Sequence, residues 1–99
     1  MNGGVYKDKR ILEESTIDEM HSIQYPNGHY GLGWMFFGDD EDGFQGHGGL
    51  WLGCDSNMLM RPSDNIGVIF FLNKAVLTSK DRSIYFKIRE ELILKAEQF

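Results

Sequence analysis

Apolar and polar residues sort most clearly between Ile66 and Asn73. In an extended chain Ile66, Val68, Phe70 and Leu72 fall on one side, and Ile69 and Phe71 on the other. Both sides are apolar, so the pattern predicts a central strand covered by helices on both faces. Two strands are predicted ahead of it, over 44–51 and 56–61. In the second, Met58 and Met60 alternate with Asn57 and Leu59, and the methionines read as strand core. Residues 30–37 favour extended backbone but include Gly31 and Gly33, which suits close approach of another backbone or a ligand. Tyr25-Pro26-Asn27-Gly28 and Pro62-Ser63-Asp64-Asn65 have turn chemistry, since proline presets φ and asparagine tolerates a left-handed residue.

The period lengthens toward the C-terminal end. Ile84, Ile88, Leu92 and Ala96 recur every four residues with Tyr85 beside them, which is a core-facing helical stripe. Thr78 and Asp81 fit a capping box, so a helix is expected over 79–97. A shorter helix is expected from residue 13 or 14 to about 22, with Ser15 and Asp18 as its capping box and Ile17 and Met20 turned inward. Asn2-Gly3-Gly4 reads as a loop, and 38–43 as a solvated loop carrying Asp39, Asp40, Glu41 and Asp42. The expected fold class is α+β: an antiparallel sheet of three or four strands flanked by a short N-terminal helix and a C-terminal helix.

Composition narrows this picture. Ninety-nine residues allow one small domain with a small core. A net charge of −5 argues against a nucleic-acid footprint. No apolar run approaches the length of a membrane span, and the start has no apolar signal segment, so nothing in the residues points to a membrane or fixes a compartment. The single cysteine, Cys54, has no internal disulfide partner and no Cys-x-x-Cys partner for a metal, and is expected to be a buried, inert thiol.

Gly46-His47-Gly48-Gly49 is the segment with the most chemical content. It is preceded by Tyr30-Gly31-Leu32-Gly33-Trp34 and followed by Ile66-Gly67-Val68-Ile69-Phe70-Phe71-Leu72-Asn73. In this order and spacing the three segments resemble the C-terminal third of the serine β-lactamase and penicillin-binding-protein-like hydrolases, in particular the class C-type, esterase-like branch. The resemblance runs roughly from Asn2 to Leu94, and it implies that residues 1–99 form one C-terminal subdomain. In that family a His-x-Gly or Lys-Thr-Gly tripeptide lies on the strand that walls the active site. By this resemblance His47 takes the place of the family's cationic or imidazole residue. Gly48 and Gly49 line the substrate, with Gly49 as the glycine that lets it approach, and the backbone N–H of Leu50 is one oxyanion donor. Gly48 stands where true β-lactamases carry a hydroxyl residue that helps bind the substrate carboxylate. That departure points toward an esterase-like or peptidase-like member.

The rest of the family's machinery is not found in these residues. Acyl transfer needs an activated hydroxyl with a base beside it. No Ser-x-x-Lys occurs: Ser79 is followed by Arg82 at the third position, and Lys87 lies one place too far from Ser83. Tyr25-Pro26-Asn27 and Ser63-Asp64-Asn65 imitate the family's second motif, but the first is a turn too close to His47 and the second follows it. His21 and His29 lack metal-ligand spacing, the four acids of the 38–43 loop do not fit a calcium loop, and no cofactor or metal is expected. Trp34 and Trp51 read first as packing residues, with pocket lining as the alternative. The leading expectation is therefore the substrate-wall portion of a β-lactamase-like serine hydrolase, inactive alone. Its expected partner is the missing N-terminal part of the same protein or further copies of itself. A stand-alone self-associating or ligand-binding module is the alternative.

Overall fold

The computed structural model describes residues 2–26, 28–37 and 43–99. Asn27 of the first expected turn and Asp39, Asp40, Glu41 and Asp42 of the acidic loop lie outside the described residues. Among the described residues, two helices and two antiparallel sheets give the expected α+β arrangement. A small hairpin comes first, β1 (Val5–Tyr6) and β2 (Lys9–Arg10). Its turn residues Lys7 and Asp8 both have positive φ, which matches the right-handed twist of the flanking strands. Nothing in the hydrophobic pattern announces it, because two-residue strands carry no readable period.

Helix α1 (Glu14–Met20) is shorter than expected. Its N-cap is Glu13, with no side-chain cap; Ser15 already lies within the helix, so the Ser15–Asp18 box does not form. Ile17 and Met20 are half-buried. The main sheet then runs β3 (Met35–Phe37), β4 (Phe44–Trp51), β5 (Cys54–Arg61) and β6 (Ile66–Leu72), in that spatial order. β3 is much shorter than the expected 30–37 stretch. The chain at Gly31 to Gly33 leaves the ladder, with the Gly31 N–H bonded to the Trp34 carbonyl and Gly33 in a left-handed conformation. Helix α2 (Ser79–Ala96) follows.

Paired residues share a face. Leu59 is opposite Gly46 on one side and Val68 on the other. That row, with Phe44, Asn57, Phe70, Phe37 and their neighbours, faces α2. Leu59 is 2% exposed and is the centre of the core, with Val68 and Phe70 beside it. Each such burial contributes roughly 1.5–3 kcal/mol. Tyr85 of α2 meets Phe70 edge-on at 5.2 Å between ring centres. Burial, and secondarily the nearby Asp55 carboxylate, push the Tyr85 phenol pKa up. Arg61 clasps the far end. It bonds Asp64 in its own hairpin loop at 2.6 Å and Glu97 just past α2 at 2.8 Å, and lies 4.8 Å from the centre of the Phe44 ring. Asp64 first and Glu97 second raise the Arg61 pKa, so the guanidinium stays charged.

The opposite face differs from the expectation. Gln45, bonded to His21, and Phe36, bonded through its N–H to the His29 carbonyl, are buried there, but β6 is bare: Ile69 is 62% exposed and Phe71 80%. Among the described residues β6 is an edge strand covered on one side only, not a sandwiched central strand. Met58 and Met60 are half-buried on this face, whereas Leu59 and Asn57 on the α2 face are buried; the strand core is the reverse of the one expected.

The Thr78 capping box forms as expected: the Thr78 hydroxyl accepts from the Asp81 N–H at 3.1 Å, and the Asp81 carboxylate accepts from the Thr78 N–H at 3.3 Å. The Lys74 ammonium first, then Thr78, hold the Asp81 carboxyl at about 2, below its ordinary 3.8. A depressed carboxyl pKa adds stability above the ordinary value, and that share is lost as pH falls through the folded value. Between about pH 4 and about pH 2 the wild-type melting temperature should therefore converge on that of Asp81→Asn, followed by circular dichroism. Thr78→Ala should cost about 1 kcal/mol at neutral pH. A gap between wild type and Asp81→Asn that stays constant to about pH 2 would contradict the assignment.

Candidate functional site

The direction of each backbone group in β4 follows from two observations. Leu52 and Gly53 form a two-residue turn with Gly53 left-handed, so the flanking pair Trp51–Cys54 is a hydrogen-bonded pair. Independently, the Phe36 N–H donates to the His29 carbonyl at 2.8 Å, so Phe36 does not bond its ladder partner Gln45. Alternation then sends the N–H groups of Gln45, His47, Gly49 and Trp51 toward β5. Those of Gly48 and Leu50 point to the other side, where β3 pairing ends at Gly46. Residues 47–53 are exposed. Gly48 and Leu50 thus offer two backbone donors along an open strand edge.

His47 projects from the face opposite α2. Its Nδ1 lies 2.5 Å from the Gly48 carbonyl oxygen, which can only accept, so Nδ1 carries the proton. In the neutral ring Nε2 is then the acceptor, and the Tyr30 hydroxyl donates a hydrogen bond to it at 2.9 Å. The two rings stand edge-on, 6.1 Å between centres. Tyr30 is itself placed by the isolated bridge to Met35 and by the Gln24 N–H on its carbonyl. In the sequence Tyr30 stands out only as part of a flanking strand, and no motif marks it as the partner of His47. The two are 17 residues apart, and only the β3–β4 hairpin brings them together.

A second polar group supports the first. The His21 Nδ1 lies 2.5 Å from Gln45 Oε1, and its ring stacks on Trp34 at 4.6 Å. Trp34 therefore packs, as expected, whereas Trp51 is 75% exposed at the hairpin tip and is not a core residue. His29 does not join this group in any hydrogen bond of its side chain among the described residues. No cluster of three His, Cys, Asp or Glu side chains suited to a metal occurs among the described residues.

The glycines are not equivalent. A Cβ at Gly46 would run into the Met58 carbonyl oxygen, so β4 and β5 can pack here only with glycine. At Gly49 a Cβ would sit 2.8 Å from Ser56 Oγ, a hydroxyl that donates weakly to the Gly49 carbonyl at 3.4 Å. The space above Gly49 is thus shared with Ser56. At Gly48 the nearest atoms are 3.7 Å away.

Cys54 departs from the expected buried thiol: it is free and exposed at the start of β5, because it pairs with Trp51 beside the turn on the face away from α2. Compared with known proteins, the chain matches no family model, no curated protein and no solved structure.

Two measurements check this geometry. Gly46→Ala should lose the fold or several kcal/mol of stability, and Gly48→Ala should stay within about 1 kcal/mol of wild type. Gly49→Ala should lose ~1–3 kcal/mol, most of it recovered in Gly49→Ala/Ser56→Ala, because removing the hydroxyl clears the overlap. Urea unfolding of the four variants reads the result; equal effects at Gly46 and Gly48 would contradict the packing. Cys54 should react with Ellman's reagent in the native state as promptly as in urea. A native-state rate slower by about tenfold or more would mean that the thiol is covered.

Proposed function

We propose that this chain is the substrate-wall portion of a β-lactamase-like serine hydrolase, which in the complete enzyme cleaves an amide or ester through an acyl-serine. The observation that carries the reading is the conjunction on β4. A glycine-rich strand directs the Leu50 N–H out of an open edge, and His47 stands on the face that α2 leaves free. A scissile carbonyl lying along that edge would meet a backbone donor of the kind that stabilises a developing oxyanion. The Gly48 N–H is a second donor pointing the same way. His47 presents an imidazole whose proton is already assigned to Nδ1, so its Nε2 and the Tyr30 hydroxyl form one proton-sharing pair beside the reacting group. Gly48 brings no hydroxyl for a substrate carboxylate, which favours esters or peptides over β-lactams. Binding and partial oxyanion stabilisation remain without the nucleophile, and turnover does not.

The 99-residue chain should leave nitrocefin and p-nitrophenyl acetate unhydrolysed above the buffer rate. Titrated with a soluble acyl-amino-acid amide, it should show amide shifts at Gly48, Gly49 and Leu50 that weaken in His47→Ala. Shifts confined to other strands would overturn the site. Hydrolysis that disappears in a single Ser→Ala variant would place the nucleophile within these residues and overturn the division of labour.

A further inference from the structure

The register that aims Leu50 at the open edge also arranges the face of β4 on which His47 stands. Side chains alternate, so His47, Gly49 and Trp51 share that face, opposite Met58, Ser56 and Cys54 of β5. His47 and Trp51 are four residues apart, about 13 Å along the strand. Gly49 lies between them and has no side chain. Its chain neighbours aside, the one atom within 4 Å of a Cβ built there is Ser56 Oγ. The next residue in that row across the sheet is Phe71, opposite Ser56 in β6 and exposed. The face thus carries a slot one residue wide that opens at the free edge of β4. An imidazole stands on one side, an indole on the other, a hydroxyl on the floor and a phenyl ring at the far end. The Ser56 hydroxyl is only lightly used, since its bond to the Gly49 carbonyl is 3.4 Å long.

We propose that this slot is a specificity subsite for an aromatic side chain of the substrate, with tyrosine preferred. The proposal rests on the hydrolase reading for the position of the scissile carbonyl, at the Leu50 N–H. A substrate strand on that edge bonds to the Gly48 and Leu50 N–H groups. Its residue facing Gly49 lies next to the scissile one and makes no backbone bond to the glycine, because the Gly49 N–H is turned toward β5. In an antiparallel ladder the Cα atoms of such a pair stand about 4.5 Å apart and their side chains share a face. The side chain facing Gly49 therefore enters at the free edge and lies over the glycine. A ring there stands roughly 6–7 Å from both His47 and Trp51, within the range of aromatic pairs. The Trp51 side chain is 75% exposed, so its indole is free to receive that ring. The ring also covers Gly49, which is exposed, in the way that aromatic residues compensate glycines in sheets. An aliphatic chain fills the slot without the ring contacts. A para hydroxyl reaches toward Ser56, two strand spacings or roughly 10 Å from the substrate backbone. There it offers the serine a better partner than the Gly49 carbonyl.

Titration of the 99-residue chain with the N-acetyl amides of alanine, leucine, phenylalanine and tyrosine, followed by nuclear magnetic resonance, tests the slot. The tyrosine probe should bind at least about fivefold more tightly than the alanine probe, with phenylalanine between them and leucine below phenylalanine. The bound tyrosine ring should show nuclear Overhauser contacts to the Gly49 α-protons. Trp51→Ala should bring both aromatic probes down to the affinity of alanine. Ser56→Ala should make tyrosine and phenylalanine equal and leave both ahead of alanine. Gly49→Ala/Ser56→Ala places a methyl group in the slot and should abolish the aromatic preference. Equal affinities for alanine and tyrosine, a preference that survives Trp51→Ala, or a ring that does not touch Gly49 overturns the slot. The Leu50 amide separates this proposal from the hydrolase reading. A Leu50 shift with every probe and no aromatic preference leaves the edge site standing and removes the slot. A ring on Gly49 with no Leu50 shift removes the edge site and keeps the slot as a binding site for the ring. No shift with any probe overturns both.

Discussion

A two-residue turn leaves its flanking strands no choice of register. Leu52 and Gly53 close β4 onto β5 with Trp51 opposite Cys54, and Gly53 accepts the left-handed conformation that the turn requires. From that pair the ladder runs without a bulge to Gln45 and Met60. One register decides three things at once: His47 lies on the face away from α2, the Leu50 N–H lies on the open edge, and Gly49, Trp51 and Ser56 share the face of His47. A slip of one residue would bury the imidazole beneath the helix and turn the leucine N–H into the ladder. The close approach of Gly46 to the Met58 carbonyl works against a one-residue slip as well, because Gln45 and His47 on either side carry side chains that could not fit there.

The core that this register supports is narrow. Apart from Phe36 on the opposite face, it is one row of side chains between the sheet and α2, centred on Leu59, with no buried residue on the helix itself. Part of that layer is polar. Asn57 is 5% exposed and its Oδ1 finds no partner among the described residues, and Asp55 is buried beside Tyr85. An unpaired buried acceptor costs more than a hydrogen bond returns. The clasp of Arg61 on Asp64 and Glu97 and the Thr78 box therefore matter at the two ends, where they fix the helix against a thin apolar layer.

Elements with a clean period were legible in the sequence. β4, β6 and α2 lie where the alternation and the four-residue stripe put them, and Thr78 and Asp81 mark the start of α2 because the box is local chemistry. What could not be read is what covers a face. Ile69 and Phe71 are as apolar as Val68 and Phe70, and hydrophobicity states a preference for burial without supplying the partner. The same gap reverses the strand core expected at Met58 and Met60: the buried side of β5 carries Asn57 and Leu59, a polar residue beside an apolar one, and alternation alone does not say which side a helix covers. Cys54 was assigned by residue type, whereas its exposure follows from its place beside the turn. In the candidate site, His47 and the glycines were marked by their motif, but Tyr30 became a partner only through the hairpin that folds it back.

The two sides of the sheet stand in different chemical conditions, and this bears on how such a strand can act. On the open face the His47 ring has both nitrogens engaged, one by the chain's own carbonyl and one by a phenol, so its orientation is set before any ligand arrives. Preorganisation of this kind contributes to catalysis because no dipole has to turn when charge develops. The backbone donors of Gly48 and Leu50 are fixed for the same reason, being held by the ladder on their neighbours rather than by a mobile side chain. Their exposure sets the limit. In open water a hydrogen bond to a developing charge is weak, and only a covering wall would lower the local dielectric enough to make it count. The strand thus holds its donors and its imidazole in fixed positions, and under the proposed hydrolase reading the strength of their interactions would depend on what closes over them.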